Sequence, residues 1–85
     1  MQIPERVILI GNGVFKNIQL NEVTIPGNVD YIDDEAFDGN SLSKSVINGK
    51  NVLFGSSVFS NNPSNLEYHG YVGSTVERYA DLNEH

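Results

Sequence analysis

A 22-residue period is the feature that most constrains the fold of this chain. Shifting the sequence by 22 positions places apolar and turn residues on residues of the same kind, and a second shift continues several of these matches. The matched columns include Ile3, Ile25 and Ile47; Ile10, Ile32 and Phe54; and Phe15, Phe37 and Phe59. Repetition at a period of this length is typical of proteins whose copies stack on one another.

Three copies account for most of the chain. They cover residues 3–24, 25–46 and 47–70, and the third carries two extra residues within the segment 61–65. The third copy also matches less well, because Val52 stands one position later than Val29 would place it. We assign residues 1–85 to one domain, made of the three copies and a C-terminal segment at 71–85.

Each copy reads as two short strands joined by turns. In the second copy, residues 23–25 predict a strand, Pro26-Gly-Asn a turn, residues 29–32 a second strand, and residues 33–37 a tight helical turn. A single copy cannot bury its apolar edge, whereas about three stacked copies form continuous apolar ladders. We therefore predict an α/β repeat solenoid of three repeats of 22–24 residues. The predicted core contains the columns Phe15, Phe37, Phe59 and Ile10, Ile32, Phe54.

A family resemblance follows from the second copy. The pattern Ile-Pro-x-x-Val-x-x-Ile-x-x-x-Ala-Phe-x-x-Asn-x-Leu is formed by Ile25, Pro26, Val29, Ile32, Ala36, Phe37, Asn40 and Leu42. It resembles the BspA-like class of leucine-rich repeats, found in surface proteins of bacteria and some protists. The resemblance implies a right-handed leucine-rich-repeat coil and a bacterial cell-surface or extracellular location. Asn48 departs from the pattern because it stands where the other copies have proline.

The segment after the third copy is similar to the end of such arrays, in which Gly-x-x-Gly-Ser-Thr-x-Glu-x-Tyr-Ala is frequent. Here it spans residues 70–80. Ser74 and Glu77 also have the spacing of a capping box, which predicts a short helix through Leu82. We expect this helix to close the last coil, as the ends of stacked repeats require.

The first copy begins inside the Ile-Pro pattern, with no strand before it. We therefore expect the chain to be the C-terminal part of a longer array. Without a predicted cover for its first coil, it is expected to be a monomer or to self-associate weakly through that coil.

Charge and composition narrow the possible partners. Eleven Asp and Glu residues outnumber five Lys and Arg residues, giving a net charge of −6. No basic patch can therefore neutralise phosphates, which disfavours nucleic acid and anionic membranes. The absence of cysteine removes disulfides and thiolate chemistry. No signal peptide or long apolar run is present, so the expected location rests on the resemblance alone.

The second copy holds five carboxylates in the segment Asp30–Asp38. A calcium-binding EF-hand loop starting at Asp34 fails, because Ala36 occupies its third position and Ser45 its twelfth. The repeat pattern instead places residues 33–35 on the outward side of a turn. We predict a solvated anionic patch, with a loose cation site or a docking patch for a basic partner as alternatives.

Catalytic groups are scarce. His69 and His85 are the only histidines, and they are not at metal-ligand spacing. Paired carboxylates for glycoside hydrolysis would need a cleft, whereas stacked narrow coils offer a flat or gently curved face. We expect no catalytic residues, no metal and no cofactor; a small hydrolase or metal-dependent module is the least favoured function.

One further column has a functional implication. Leu9, Tyr31 and Leu53 immediately precede the inward positions 10, 32 and 54, so strand alternation points them outward. Alternatively, the coil is wide enough to bury them or the terminal helix covers them. The candidate partner-binding residues are Leu9, Tyr31, Leu53, Asp30, Asp33 and Asp34.

These residues favour a non-catalytic interaction or adhesion module whose ligand is a protein on a host or neighbouring cell. A structural spacer or stalk is the alternative function.

Overall fold

The computed structural model describes residues 1–70, which form six short parallel strands and no helix. The strands are β1 (Leu9–Ile10), β2 (Glu22–Ile25), β3 (Tyr31–Ile32), β4 (Lys44–Ile47), β5 (Leu53–Phe54) and β6 (Glu67–His69). They form two three-stranded sheets in the orders β1-β3-β5 and β2-β4-β6. Each copy therefore contributes one strand to each sheet, and the repeat architecture is confirmed.

The 22-residue period sets the strand register. In the first sheet Ile10 pairs with Ile32, which pairs with Phe54. In the second sheet β2 and β4 pair with the same offset, and Gln2 extends this sheet through a parallel bridge to Thr24. The β-branched residues in these strands suit a pleated, half-buried surface. Pro4 follows Ile3 and Pro26 follows Ile25. Each proline ends the hydrogen-bond ladder of the second sheet in its copy, because it lacks an amide hydrogen.

The third copy departs from the period. Lys44 of β4 pairs with Glu67 of β6, which advances the offset to 23 residues. Val52, although one position late, is buried. A Cβ atom added at Gly49 would lie 2.6 Å from Cγ2 of Val52. The late valine therefore fills the core only because residue 49 has no side chain.

Stacked side chains form the core. The Phe37 ring lies between those of Phe15 and Phe59, with centroid distances of 5.4 Å on both sides. Phe15 and Phe54, both predicted to be core residues, are only half-buried; the Phe15 ring stacks on Phe37, and the Phe54 ring lies tilted against Phe59. The buried apolar residues are Ile3, Ile10, Val23, Ile25, Val29, Ile32, Ala36, Phe37, Leu42, Ile47, Val52, Val58, Phe59 and Leu66.

The segment predicted as a helical turn is instead an extended series of hydrogen-bonded turns. The amides of residues 35, 37 and 39 donate to the carbonyls of residues 56, 58 and 60 in the next copy, at 2.9–3.0 Å. An α-helix would use these amides internally. The same backbone conformation recurs in each copy: the equivalent residues Gly13, Glu35 and Ser57 all have positive φ values of 57–60°.

Two asparagines, the buried Asn40 and the half-buried Asn62, connect the copies just after these turns. Oδ1 of Asn40 accepts from the amides of Ile18 and Leu20, and its Nδ2 donates to the carbonyls of Phe15 and Phe37. Asn62 repeats the pattern one copy later. The first copy has Ile18 at the equivalent position and therefore lacks such an asparagine.

The predicted C-terminal helix, with its capping residues Ser74 and Glu77, lies outside the described residues.

Candidate partner-binding face

The outward side of the first sheet carries an apolar column. Leu9 pairs with Tyr31 and Tyr31 with Leu53, so the three side chains lie in line across adjacent strands. Leu9 is 58% exposed and Leu53 63%, while Tyr31 is half-buried. The residues that follow the first two, Ile10 and Ile32, are buried. The side chains that precede the buried positions therefore point outward, as predicted. The sheet presents one exposed leucine on each side of a tyrosine. We call this set the outer column.

Tyr31 is held in position by the acidic segment that follows it. Its hydroxyl donates to Oδ1 of Asp33 at 3.3 Å. Partial burial raises the pKa of the Tyr31 phenol above its ordinary value of 10.0, and the charge and hydrogen bond of Asp33 raise it further. At neutral pH the centre of the outer column is therefore a neutral phenol with a fixed orientation. Tyrosine is one of the residues that most often dominate protein interfaces.

Asp33 and Asp34 are only partly exposed, because their carboxylates bind the backbone. Oδ1 of Asp33 accepts from the amide of Asp34 at 2.7 Å, and Oδ1 of Asp34 accepts from the amide of Ser56 at 2.8 Å. The approach requires glycine at position 55, where an added Cβ would lie 2.7 Å from the Asp34 nitrogen. The segment is thus less of a solvated patch than predicted, since Asp34 joins two copies.

Glu35 and Asp38 form a similar link to the preceding copy. The Lys16 Nζ lies 3.2 Å from Oε1 of Glu35 and 3.5 Å from Oδ2 of Asp38. The hydrogen bond and charge of Glu35 are the main reasons why the pKa of Lys16 is raised above 10.5. Asp38 is buried and also accepts from Nδ2 of Asn61 at 2.8 Å. These two carboxylates therefore serve the stacking of copies.

Asp30 remains available at the surface. It is exposed, and its side chain forms no hydrogen bond or ion pair with another residue of the segment 1–70. It directly precedes Tyr31, so it places a negative charge beside the outer column.

An exposed apolar residue beside the outer column, Ile8, was not predicted from the 22-residue period. Ile8 is 59% exposed and directly precedes Leu9. The equivalent residues are the exposed Asp30 and the buried Val52, so the 22-residue period gives no signal for an exposed apolar residue at this position.

Residues 1–70 contain neither a metal-binding cluster nor a membrane-spanning helix. This part of the chain has no group of three or more His, Asp or Glu side chains that could hold a metal ion. His69 is exposed on β6 with its Nε2 3.0 Å from Oε1 of Glu67, while His85 lies beyond the described part. The same 70 residues include no helix with the length and apolar character to cross a bilayer.

The stacked parallel strands, the 22-residue register and the inter-copy asparagines define a repeat protein. A family model described as a BspA type leucine-rich repeat region (6 copies) matches residues 1–76. The chain belongs to the BspA-type leucine-rich repeat family, which confirms the resemblance. Neither the curated proteins nor the solved structures contained a match. This family comprises repeat modules of the protein-interaction or surface kind that are generally non-catalytic and typically surface-associated in bacteria.

Proposed function

We propose that this chain is a non-catalytic adhesion module of a bacterial cell-surface protein, and that it binds a protein partner through the outer column. The observation that supports this most strongly is the exposure of Leu9 and Leu53 in register with Tyr31. Aligned apolar side chains exposed on one face favour an interaction site. Membership of a family that is typically surface-associated in bacteria supports the proposed cell-surface setting.

The physical properties of the column suit recognition. Paired strands hold the three side chains at spacings of roughly 4.8 Å, so little backbone order has to be gained on binding. The hydrogen bond to Asp33 also fixes the Tyr31 ring before a partner arrives. A tyrosine anchor with apolar neighbours combines buried area with one polar contact.

Charge adds a preference for a partner type. The chain carries a net charge of −6, and Asp30 lies next to the column. We therefore expect the partner surface to be apolar at its centre and basic at its rim, which accelerates encounter and disfavours acidic competitors.

The test compares three immobilised proteins in pull-downs from bacterial surface and host matrix extracts. They are the native chain, Tyr31→Ser with Leu53→Ser, and the control Val14→Ser with Ile18→Ser. The control residues are also exposed and apolar but lie outside the column. Circular dichroism establishes that each protein is folded. We expect one protein to be retained by the native chain and the control and lost by the outer-column variant.

Affinity then measures the contribution of the column. Removing a tyrosine anchor and one flanking leucine costs about 2 kcal/mol or more at a typical interface, which weakens binding roughly 30-fold. Equal retention by all three proteins would remove the outer column as the binding site. Retention by none of them would favour a spacer role.

A further inference from the structure

A cavity of about 460 Å³ lies where the chain leaves the second sheet. Its lining includes Gln2, Pro4, Glu5, Thr24, Pro26 and Asn48. The volume is within the range of sites that bind small ligands or single side chains. None of these residues belongs to the outer column.

The cavity has a specific origin in the sequence. Pro4, Pro26 and Asn48 are equivalent residues of the three copies. The amide of Asn48 donates to the carbonyl of Ile25 at 3.0 Å and continues the ladder between the second and third copies. Pro26 has no amide hydrogen to donate in the same way to the carbonyl of Ile3. The first two copies therefore lack this hydrogen bond, and the cavity opens between them.

The two copies meet again beyond the cavity, which makes it a bounded site. Nδ2 of Asn28 donates to the carbonyl of Glu5 at 2.9 Å. On the other side, the amide of Ile3 donates to the carbonyl of Thr24 at 3.2 Å. One hydrogen bond between the first two copies and one between the two ends of the first copy thus flank the opening.

The lining is rich in acceptors and carries one negative charge. Ile3, Thr24 and Glu5 are among the lining residues, and they carry a backbone carbonyl, a hydroxyl and a carboxylate that can accept hydrogen bonds. Glu5 is exposed, and within residues 1–70 its side chain has no ion pair or hydrogen bond. The rings of Pro4 and Pro26 supply apolar walls. A planar cation with several N–H donors on an aliphatic stem matches these features, and arginine is the side chain with that chemistry.

We propose that this cavity receives an arginine side chain of the protein partner. The inference deepens the proposed function, because it names the chemistry of the partner, and it agrees with the net charge of −6. The guanidinium binds Glu5 and the neighbouring acceptors, and the aliphatic stem packs on the prolines.

The test is a titration of the ¹⁵N-labelled chain followed by NMR, with three small probes. They are N-acetyl-arginine N-methylamide, its neutral citrulline counterpart and free L-arginine. We expect saturable shifts of the amides of Gln2, Thr24 and Asn48 with the blocked arginine and much smaller shifts with citrulline. Free arginine should bind no more tightly than the blocked form, because its α-ammonium and α-carboxylate have opposite effects beside Glu5.

Variants assign the response to the cavity. Glu5→Gln should weaken binding of the blocked arginine about tenfold, whereas Glu22→Gln, an exposed carboxylate of β2 outside the cavity, should leave it unchanged. Gly27→Leu should abolish binding by filling the cavity. A Cβ at Gly27 would be in ordinary contact with the Asn48 carbonyl oxygen at 3.7 Å, and Gly27 has no positive φ, so the variant is expected to fold.

Several results would overturn the proposal: equal shifts with citrulline, shifts confined to residues 30–38, or no saturable response. Clearly tighter binding of free arginine would also overturn it, because the site would then recognise the free amino acid and not a side chain. The variant Tyr31→Ser with Leu53→Ser should keep the full arginine response. Failure of the outer column and failure of the cavity are therefore distinguishable.

Discussion

Asn40→Ala should be among the most destabilising single substitutions in this chain. The Asn40 side chain is buried and forms four hydrogen bonds of 2.9–3.1 Å to backbone groups of its own and the preceding copy. Alanine removes all four and leaves the amides of Ile18 and Leu20 and the carbonyl of Phe15 without their partner, while the Phe37 carbonyl keeps only the hydrogen bond from Asn62. No other side chain at this position offers two donors and an acceptor in the same shape.

The magnitude follows from these contacts. A hydrogen bond contributes about 0.5–1.5 kcal/mol net, so four are worth about 2–6 kcal/mol. Total stability for a chain of this length is about 4–13 kcal/mol, at 0.05–0.15 kcal/mol per residue. We expect the free energy of unfolding to fall by about 3 kcal/mol, a large part of the total.

Equilibrium urea unfolding monitored by far-ultraviolet circular dichroism measures this change. Asn51→Ala serves as the control, because Asn51 is exposed, and it should change stability by less than about 0.5 kcal/mol. Asn40→Asp keeps the shape but loses both donations, and it should be at least as destabilising as alanine at neutral pH. If Asn40→Ala and Asn51→Ala lost similar amounts, the interlocking role of Asn40 would be wrong.

Three further predictions concern the core and the outer column. Phe37→Ala should cost about 3–5 kcal/mol in urea unfolding, because its buried ring stacks on Phe15 and Phe59; a loss below about 1 kcal/mol would contradict the stacked core. Ser45→Ala should raise stability by about 1 kcal/mol, since the buried Ser45 hydroxyl has no hydrogen-bond partner within residues 1–70; a destabilised variant would refute this. Asp33→Asn should lower the pKa of Tyr31 toward 10.0, measured by NMR of ¹³C-labelled tyrosine, with Tyr31→Phe assigning the signal. An unchanged pKa would contradict the contact.

The direction of the pH dependence follows from the same raised pKa values. Tyr31 and Lys16 both hold their protons more tightly in the folded state. Their contribution to stability is therefore present below about pH 10 and is lost as the pH rises through their folded-state pKa values.

Much of the fold could be predicted because the period is visible in the apolar residues. The match of Ile10, Ile32 and Phe54 gave the strand register, and alternation gave the outward direction of Leu9 and Leu53. Both predictions depend only on which residues repeat and on the two-residue period of a strand. The half-burial of Phe54 was not predictable from the period, because the equivalent residues Ile10 and Ile32 are buried.

The turns were not predicted correctly because their hydrogen bonds are not local. The amides of Glu35 and Phe37 donate to the next copy, and local pattern cannot distinguish this from a helical turn. The spacing of Asn40 and Asn62 by 22 residues was an available signal for the interlocking asparagines. The sequence contained no such signal for the contact of Asp34 with the Ser56 amide, because the acidic residues do not repeat.

Site-directed photo-crosslinking tests the central claim most directly. A photoreactive benzoylphenylalanine is placed at position 53 in the outer column or at position 14, which is similarly exposed and apolar but lies outside it. After illumination in a bacterial surface or host matrix extract, we expect a covalent adduct with one protein from position 53 and none from position 14. Adducts with the same protein from both positions in equal yield, or from neither, would contradict it.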